Sequence, residues 1–428
     1  MSKIPTSLFG RGTKLFGVAS RLALNEVSSR LKTWENEADK IRSKVLLYQD
    51  IVKTLSQLKG ASMKVGQLLS LDLGDYLPPE VVKVLEQLHQ NSTTLPYSEI
   101  ESILKHELKD RFQDFSEITR TPIASASIGQ VHRAKLNDKD VIIKIQYPGV
   151  AETIPSDLKI LAIILKQANF VQGKSLTDLG PFLKEIEEVL IREADYCNEL
   201  KMHLLYKEKI KNKPYIVPHA YSAYSTDKIL TQDFIEGSNF THWLSSGPSM
   251  ELKEHFADLL MKLYLEEIFD HGMVQTDPNP GNFIITKDNQ LALLDFGAVK
   301  EYDSTFVEGY RKVLIASFYK DRETLLKESM DMGFFDPRED QEVQDIYFEM
   351  MEFLTAPFRQ EEYFDFNDKN FFNSSVELSW RMTKKCKYSP PPKNLIFLHR
   401  KLAGIFIFIK KMDVKIRLKD YWHHVEDS

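Results

Sequence analysis

The stretch VQTDPNPGNFIITKDNQLALLDFGAV, residues Val274 to Val299, decides the fold of this chain. It holds two carboxylates and one amide at informative intervals: Asn282 follows Asp277 by five positions, and Asp295 opens an Asp-Phe-Gly triplet. Between them, two apolar segments flank a polar Lys-Asp-Asn-Gln turn, which predicts a β-hairpin. Such a hairpin returns Asn282 and Asp295 to the same end of its two strands.

The spacing of these three side chains matches the catalytic loop of protein kinases, where an Asp lies near the acceptor hydroxyl and an Asn binds a metal ion. Phosphoryl transfer needs charge neutralisation and in-line positioning. The oxygens of Asn282 and Asp295 suit Mg²⁺, which is a hard cation, and Asp277 can then orient the nucleophile or accept its proton. Each segment alone also fits an ordinary turn or strand end, but the combination favours the functional interpretation.

Length, charge and cysteine content narrow the class of protein. A chain of 428 residues is long enough for two or three domain-sized units. Its net charge of −6 gives no electrostatic reason to expect nucleic acid as a partner. The only two cysteines, Cys197 and Cys386, exclude a disulfide framework and a cysteine-based zinc site, and they fit a reducing compartment such as the cytoplasm.

The two ends of the sequence give information on whether the protein contacts a membrane. The longest apolar run near either end, Leu402 to Ile409, is eight residues long. A membrane span takes roughly 20 apolar residues, so this run predicts a buried helix. The first 32 residues carry six basic residues and one acid, with leucines at intervals of seven. They predict a basic amphipathic helix on an anionic membrane surface, a helix packed on the body, or an organellar transit peptide.

Residues Pro122–Leu136 and Val141–Gln146 predict two antiparallel strands joined by the four-residue loop Asn137–Asp140. Alternation places three aliphatic residues of the second strand on one face: Val141, Ile143 and Ile145. Lys144 lies on the other face, where burial is costly unless the ammonium is paired. A strand lysine aimed at phosphates, as in the Val-Ala-Ile-Lys strand of kinases, explains it; an edge lysine in solvent is the alternative.

The first of these two segments contains a run of small residues, which predicts a flexible loop whose backbone N–H groups can approach phosphates. Its members are Ala124, Ser125, Ala126, Ser127, Ile128 and Gly129. The run is not the G-x-G-x-x-G of protein kinases, and this counts against an ordinary protein kinase.

Further along, a helix is predicted from about Pro181 to Lys209, and Glu199 on it can pair with Lys144 as the helix glutamate of kinases does; a solvated acid is the alternative. Residues 225–240 predict a strand that ends at Glu236 and links two lobes, where backbone groups would bind an adenine. Glu251 to His271 predicts an amphipathic helix, and beyond Lys300 the chain is predicted to be mainly helical.

Together, the segments MKVGQLLS, PIASASIGQVHRA, VIIKIQYPGV, READYCNE, TDPNPGNF and LLDFGAV resemble the UbiB/AarF family of atypical protein-kinase-like proteins. The match runs in order from about Lys59 to Val299, more than half of the chain. It implies an α+β, two-lobed protein-kinase-like fold: a helical extension over residues 1–95, a small antiparallel-sheet N-lobe over 96–236 and a mainly helical C-lobe over 237–428.

The resemblance also implies roles for individual residues. Lys64 and Gln67 of the Lys-x-Gly-Gln motif would fold over the site where a protein substrate would otherwise bind, and Glu193 and Asp195 would belong to that blocked site. The loop from Ala124 to Gly129 would replace the glycine-rich loop. The strand Lys, its Glu partner, the catalytic Asp and the two metal ligands are then matched, in this order, by Lys144, Glu199, Asp277, Asn282 and Asp295.

For function, the resemblance implies ATP and Mg²⁺ as cofactors, and an ATPase or a small-molecule or lipid kinase that supports isoprenoid-quinone biosynthesis, usually that of ubiquinone. The implied partners are a lipid or quinone precursor, quinone-biosynthesis proteins and a peripheral membrane surface. Phosphorylation of separate proteins is not expected. The implied location is cytoplasmic with peripheral membrane association, or organellar if the basic N-terminus is a transit segment.

Three departures from the family pattern accompany the match. Ser125 interrupts the alanine run, and Gln275 and Asn279 stand where many members have histidine. The membrane-spanning tail of many bacterial members is missing, so membrane contact is expected to be peripheral. Two other classes stay open: a phosphotransferase of the aminoglycoside or choline kinase type, against which the Lys64 and Glu193 motifs argue, and a non-catalytic nucleotide-binding scaffold.

Overall fold

The computed structural model describes residues 94–126, 128–156, 158–159, 180–211, 213–389 and 393–426. The predictions made for residues 1–93, which include Lys64, Gln67 and the basic segment, lie outside the described residues, and so does Ser127. The chain divides into two compact units. Of the described residues, the first unit holds those up to Lys201 and His219–Phe234, and the second holds Met202–Pro218 and those from Ile235 onward.

The elements are numbered in chain order. The strands of the described ranges are β1 Phe115–Ser116, β2 Ala124–Ala126, β3 Gly129–Leu136, β4 Lys139–Gln146, β5 Tyr215–Ile216, β6 Ile229–Asp233, β7 Gly237–Asn239, β8 Met273–Gln275, β9 Phe283–Thr286, β10 Leu291–Leu293, β11 Val299–Glu301, β12 Phe364–Asp365 and β13 Lys415–Ile416. The helices are α1 Tyr97–Leu108, α2 Gly180–Glu193, α3 Tyr196–Lys209, α4 Phe240–Ser245, α5 Met250–Leu265, α6 Ser304–Phe318, α7 Arg322–Asp331, α8 Gln341–Thr355, α9 Lys369–Lys385, α10 Lys393–Met412 and α11 His423–Glu426.

The first unit contains a five-stranded antiparallel sheet in the order β1-β3-β4-β6, with β2 also paired to β3. The predicted alternation in β4 is confirmed, because its apolar face packs on α1, whose buried residues recur every fourth position. The cluster between them includes Ile100, Leu104, Leu108, Val141, Ile143 and Ile145.

Three predictions of element boundaries in this part of the chain are wrong. Strands β3 and β4 are joined by the two residues Asn137 and Asp138 rather than by four, because both adopt positive φ (48° and 66°) and so form the tight turn that suits twisted strands. The predicted helix over 181–209 breaks into α2 and α3 before Tyr196. The strand predicted to reach Glu236 ends at Asp233.

The second unit is mainly helical, as predicted. Its largest sheet has the order β5-β10-β9-β7, and the predicted hairpin is present as the antiparallel pair β9–β10. The helix predicted to reach His271 is α5 followed by a π-helix, Glu266–Asp270, which leads into β8. A short 3₁₀ turn, Pro280–Asn282, precedes β9.

Helix α10 contains the apolar run Leu402–Ile409, and the prediction that this run is a buried helix is confirmed. Its most deeply buried positions follow helical spacing and include Leu398, Lys401, Ile405, Phe408, Ile409 and Met412. Within the part of the chain that the structure describes, no helix is long and apolar enough to cross a membrane.

Truncation of Leu104 tests the core of the first unit. Leu104 is fully buried between α1 and the sheet, so Leu104→Ala should lower the free energy of unfolding by about 2–5 kcal/mol through lost apolar contact and a residual cavity. Urea unfolding followed by circular dichroism measures the change. Ser102→Ala on the exposed face of the same helix should stay within about 0.5 kcal/mol of the wild type. Equal effects of the two substitutions would contradict the assigned face.

Candidate functional site

The loop between β8 and β9 carries Asp277 and Asn282 in the second unit. The side chain of Asn279 accepts a hydrogen bond from the backbone N–H of Gly281 at 2.9 Å, and the N–H of Asn282 donates to the carbonyl of Asn279 at 2.9 Å. Nδ2 of Asn282 then donates to Asp277, at 3.1 Å to Oδ2 and 3.3 Å to the carbonyl oxygen. The two residues that the sequence singles out are therefore in direct contact.

Asp295 is brought back to Asn282 by the hairpin. Phe283 pairs with Leu293 across β9 and β10, and the N–H of Leu294 donates to the carbonyl of Asn282 at 3.0 Å. Asp295 is the next residue. The prediction that the hairpin returns Asn282 and Asp295 to one end is thus confirmed.

The Asp-Phe-Gly triplet is anchored by its middle residue. Phe296 is fully buried, with its ring centroid 4.3 Å from that of His203 and 5.0 Å from that of Tyr206 on helix α3. Oδ1 of Asp295 accepts a hydrogen bond from the N–H of Gly297 at 3.1 Å. The buried ring of Phe296 and the hydrogen bond from Gly297 therefore hold the turn after β10 and the Asp295 carboxylate in place.

The donor atoms fit a magnesium ion. Asn282 turns its amide nitrogen to Asp277, so its carbonyl oxygen is the atom suited to a cation, and the carboxylate of Asp295 is the second donor. Mg²⁺ commonly takes one or two protein oxygens and completes its octahedron with water and phosphate oxygens. Over the described ranges, no group of three or more His, Cys, Asp or Glu side chains is arranged to hold a metal.

In the first unit, the expected pair of Lys144 and Glu199 is present. Lys144 Nζ lies 2.5 Å from Glu199 Oε1, and both side chains are buried. Strand β4 is flanked by β3 and β6, so Lys144 lies between Val131 and Leu230, and the alternative of a solvent-exposed edge lysine is wrong. The ion pair offsets the cost of burying either charge alone.

The run from Ala124 to Gly129 differs from the predicted flexible loop. Ala124, Ser125 and Ala126 form strand β2 against β3. The side chain of Ile128 is buried among apolar residues, so only its backbone can meet a ligand. A Cβ on Gly129 would lie 2.3 Å from the carbonyl oxygen of Ile145, which explains why glycine stands where β3 approaches β4.

Glu236, Glu193 and Asp195, which were also predicted as site residues, lie in different local environments. Glu236 is exposed and its Oε1 accepts a hydrogen bond from Lys287 Nζ at 2.6 Å. Glu193 is the last residue of α2. Asp195 caps α3, because its Oδ1 accepts from the N–H of Asn198 at 2.9 Å. Asp195 thereby helps to orient the helix that carries Glu199.

A buried polar cluster beside Asp277 was not predicted from the sequence. Glu267 and Lys401 are both fully buried, with 3.3 Å between Oε2 and Nζ. Lys401 Nζ also donates to Gln275 Oε1 at 3.1 Å, and Gln275 Nε2 donates to the carbonyl of Asp277 at 2.9 Å. A sequence signal for Lys401 exists, since it lies on the apolar face of α10 at helical spacing from Leu398 and Ile405.

Comparisons with known proteins agree with this geometry. A family model for the ABC1 atypical kinase-like domain matches residues 87–329. A Saccharomyces cerevisiae relative, "Atypical kinase COQ8, mitochondrial", is 32% identical and the alignment covers 97% of this chain and 84% of that protein. The Schizosaccharomyces pombe protein of the same name is 31% identical over 98% of this chain and 69% of its own.

A solved structure shares the fold. It is a complex of the Mycobacterium tuberculosis protein Rv3197 with erythromycin, with a TM-score of 0.60, 25% sequence identity, and coverage of 93% of this chain and 97% of that one. The two-lobed, kinase-like α+β fold is therefore confirmed. The family match spans more than half of the sequence and includes every element of the hairpin and its loop. The chain belongs to the UbiB/AarF family of atypical kinases, which carry the ABC1 kinase-like domain.

Proposed function

We propose that this protein binds Mg²⁺-ATP and catalyses phosphoryl transfer, as an ATPase or as a kinase of a small molecule or lipid, in support of isoprenoid-quinone biosynthesis. The observation that carries the proposal is the contact of the Asn282 amide with the Asp277 carboxylate at the end of the hairpin that also presents Asp295. These three side chains have the chemical types and the spacing that phosphoryl transfer needs, and hydrogen bonds of the loop and the hairpin hold them there.

Each residue has a proposed task. Asp277 orients the attacking hydroxyl or water and accepts its proton, because its carboxylate is fixed by Asn282. Asn282 and Asp295 hold Mg²⁺ through oxygen; the ion, when bound, neutralises charge on the phosphate oxygens. Lys144 binds phosphate, and its ammonium is held by the carboxylate of Glu199.

The remaining binding roles follow the family resemblance. The backbone of Ala124 to Gly129 would approach the phosphates, and the chain at Glu236 would hydrogen-bond the adenine. Lys64, Gln67, Glu193 and Asp195 would block access of protein substrates.

The cellular context is also part of the proposal. The yeast relatives are named as mitochondrial, and an Arabidopsis thaliana relative, 29% identical over 71% of this chain, is named "Protein ACTIVITY OF BC1 COMPLEX KINASE 8, chloroplastic". We therefore propose an organellar location with peripheral contact to a membrane, where a lipid or quinone precursor and quinone-biosynthesis proteins are available.

Mg²⁺-dependent ATP hydrolysis by the purified protein, with and without anionic liposomes, tests the function. We expect turnover that rises with liposomes. Asp277→Asn should lower kcat by about 10²–10⁴-fold, because the amide cannot accept a proton, while nucleotide affinity stays near that of the wild type. Nucleotide binding without turnover under either condition would instead identify a nucleotide-binding scaffold.

The assignment of Asp295 as a metal ligand predicts different effects of two substitutions in the same hairpin. Asp295→Asn should abolish Mg²⁺-dependent nucleotide binding or turnover, since a neutral amide binds the ion far more weakly than a carboxylate. Asp288→Asn, in the exposed turn at the other end of the hairpin, is the matched control and should retain both. Titration of nucleotide binding against Mg²⁺ concentration measures the difference. Unchanged behaviour of Asp295→Asn would remove it from the metal site.

The buried pair of the first unit allows stability and activity to be separated. Lys144→Met leaves Glu199 buried without its ammonium and should destabilise the protein by about 3–5 kcal/mol. The double variant Lys144→Met/Glu199→Met removes both charges and should regain most of that stability, yet stay inactive because the phosphate-binding charge is gone. Thermal unfolding and ATP turnover are measured together. Wild-type turnover in the double variant would show that the pair has no role in catalysis.

A further inference from the structure

Glu267 and Lys401 form a buried ion pair that the proposed chemistry does not use. Both side chains are inaccessible to solvent, with Nζ 3.3 Å from Oε2. Oε1 of Glu267 accepts hydrogen bonds from the hydroxyl of Tyr206 at 2.6 Å and from the N–H of Gln275 at 3.1 Å. Taking two charges out of water costs several kcal/mol per ion, so a pair at this depth calls for a physical reason.

The backbone that carries Glu267 is itself unusual. Glu267 lies in the π-helix that follows α5, a conformation that is rare and often found at functional sites. Its neighbour Glu266 is also buried but contacts different groups, Lys213 and Tyr215. The two consecutive glutamates are thus directed to different partners, and Glu267 is the one aimed at Lys401 and Gln275.

Gln275 connects the ion pair to the loop of Asp277. Lys401 donates to Oε1 of Gln275 at 3.1 Å. An ammonium has no acceptor atom, so this contact assigns the oxygen of the amide to Lys401 and leaves Nε2 to donate to the carbonyl of Asp277 at 2.9 Å. Burial lowers the pKa of Lys401, and the carboxylates of Glu267 and then Asp277 oppose that shift.

A second contact between helix α10 and the same loop is independent of charge. Gly404 lies one turn beyond Lys401, and a Cβ at this position would be 2.2 Å from Cβ of Pro278. The backbone of α10 therefore packs directly on Pro278, the residue after Asp277. Two successive turns of one helix therefore contact Gln275, at the end of β8, and Pro278, in the loop that carries the proposed catalytic carboxylate.

We propose that Lys401 is a positioning residue: through Gln275 it holds the Asp277–Pro278 backbone against helix α10. The proposal rests on the phosphoryl-transfer function proposed above. The Glu267 carboxylate favours the charged form of Lys401 and, at 3.3 Å from Nζ, holds the Lys401 side chain in place. Lys401 itself does not contact the substrate in this scheme, and its effect on the reaction passes through the position of Asp277.

The test separates the link through Gln275 from the stability of the ion pair. Gln275→Glu keeps an acceptor for Lys401 but removes the donor to the carbonyl of Asp277, and Gln275→Met removes both contacts at similar volume. A charge-free double variant, Glu267→Gln/Lys401→Met, removes the pair without leaving a lone buried charge. Tyr347→Phe is the matched control, because it deletes another buried hydrogen bond of the second unit, 2.8 Å to Ser329.

Three measurements are made on each variant: steady-state kinetics, which give kcat and KM for ATP; the thermal midpoint; and hydrogen exchange at the amides of Thr276, Asp277, Asn279 and Gly281. We expect the Gln275 and Glu267/Lys401 variants to lose about 10²-fold in kcat, the size of effect that a small misplacement of a catalytic group produces. KM for ATP should change little, and exchange in the loop should become faster. Tyr347→Phe should keep the kcat and the loop exchange of the wild type.

Wild-type kcat and unchanged loop exchange in both Gln275 variants and in the double variant would overturn the proposal while leaving the ATPase function intact. If the wild type itself does not turn over ATP, the proposed function fails, and loop exchange alone then decides the positioning role: faster exchange supports it and unchanged exchange overturns it. If Gln275→Met does not fold, Gln275→Glu and the double variant, each of which keeps the buried site filled, provide the same readouts.

Discussion

The backbone hydrogen bond from Leu294 to the carbonyl of Asn282 is the contact on which the candidate site depends. It closes the β9–β10 hairpin in the register that places Asp295 directly after the paired residues. Side chains alternate along a strand, so a slip of one residue would exchange the faces of every position. Burial of Phe283, Ile285, Leu291 and Leu293 on the core side excludes that slip. The polar ends of the hairpin are thus positioned by its apolar middle.

Among the described residues, each unit has a buried ion pair at or beside residues with a proposed role in the reaction. In the first unit Lys144 is paired with Glu199, and in the second Lys401 is paired with Glu267. Replacement of buried pairs by apolar side chains of similar volume is often neutral or stabilising, so stability alone does not account for either pair. A charge held at a fixed place in a low-dielectric interior accounts for both, because water cannot screen it there.

The chemistry-bearing residues of the hairpin were predictable because their spacing and the hairpin pattern are local. The contact of Lys144 with Glu199 was also anticipated, although the two are far apart in sequence, because kinases pair a strand lysine with a helix glutamate in this way. The ends of the strands and helices were less predictable. The turn between β3 and β4 depends on the positive φ angles of Asn137 and Asp138. The break before α3 depends on the helix cap at Asp195. Lys401 directly precedes the apolar run Leu402–Ile409, and no role was predicted for it.

The sequence by itself determined the family, the antiparallel and helical character of the two units, and the residues that bear the phosphoryl-transfer pattern, because motif spacing and hydrophobic periodicity are properties of the chain. The pairing of Lys401 with Glu267, the link of Gln275 to the carbonyl of Asp277, and the room that Gly404 leaves for the ring of Pro278 arise only in the tertiary structure. The contacts of Lys401 with Glu267 and Gln275, and of Gly404 with Pro278, join segments more than a hundred residues apart. Their geometry follows from packing, which no local pattern encodes.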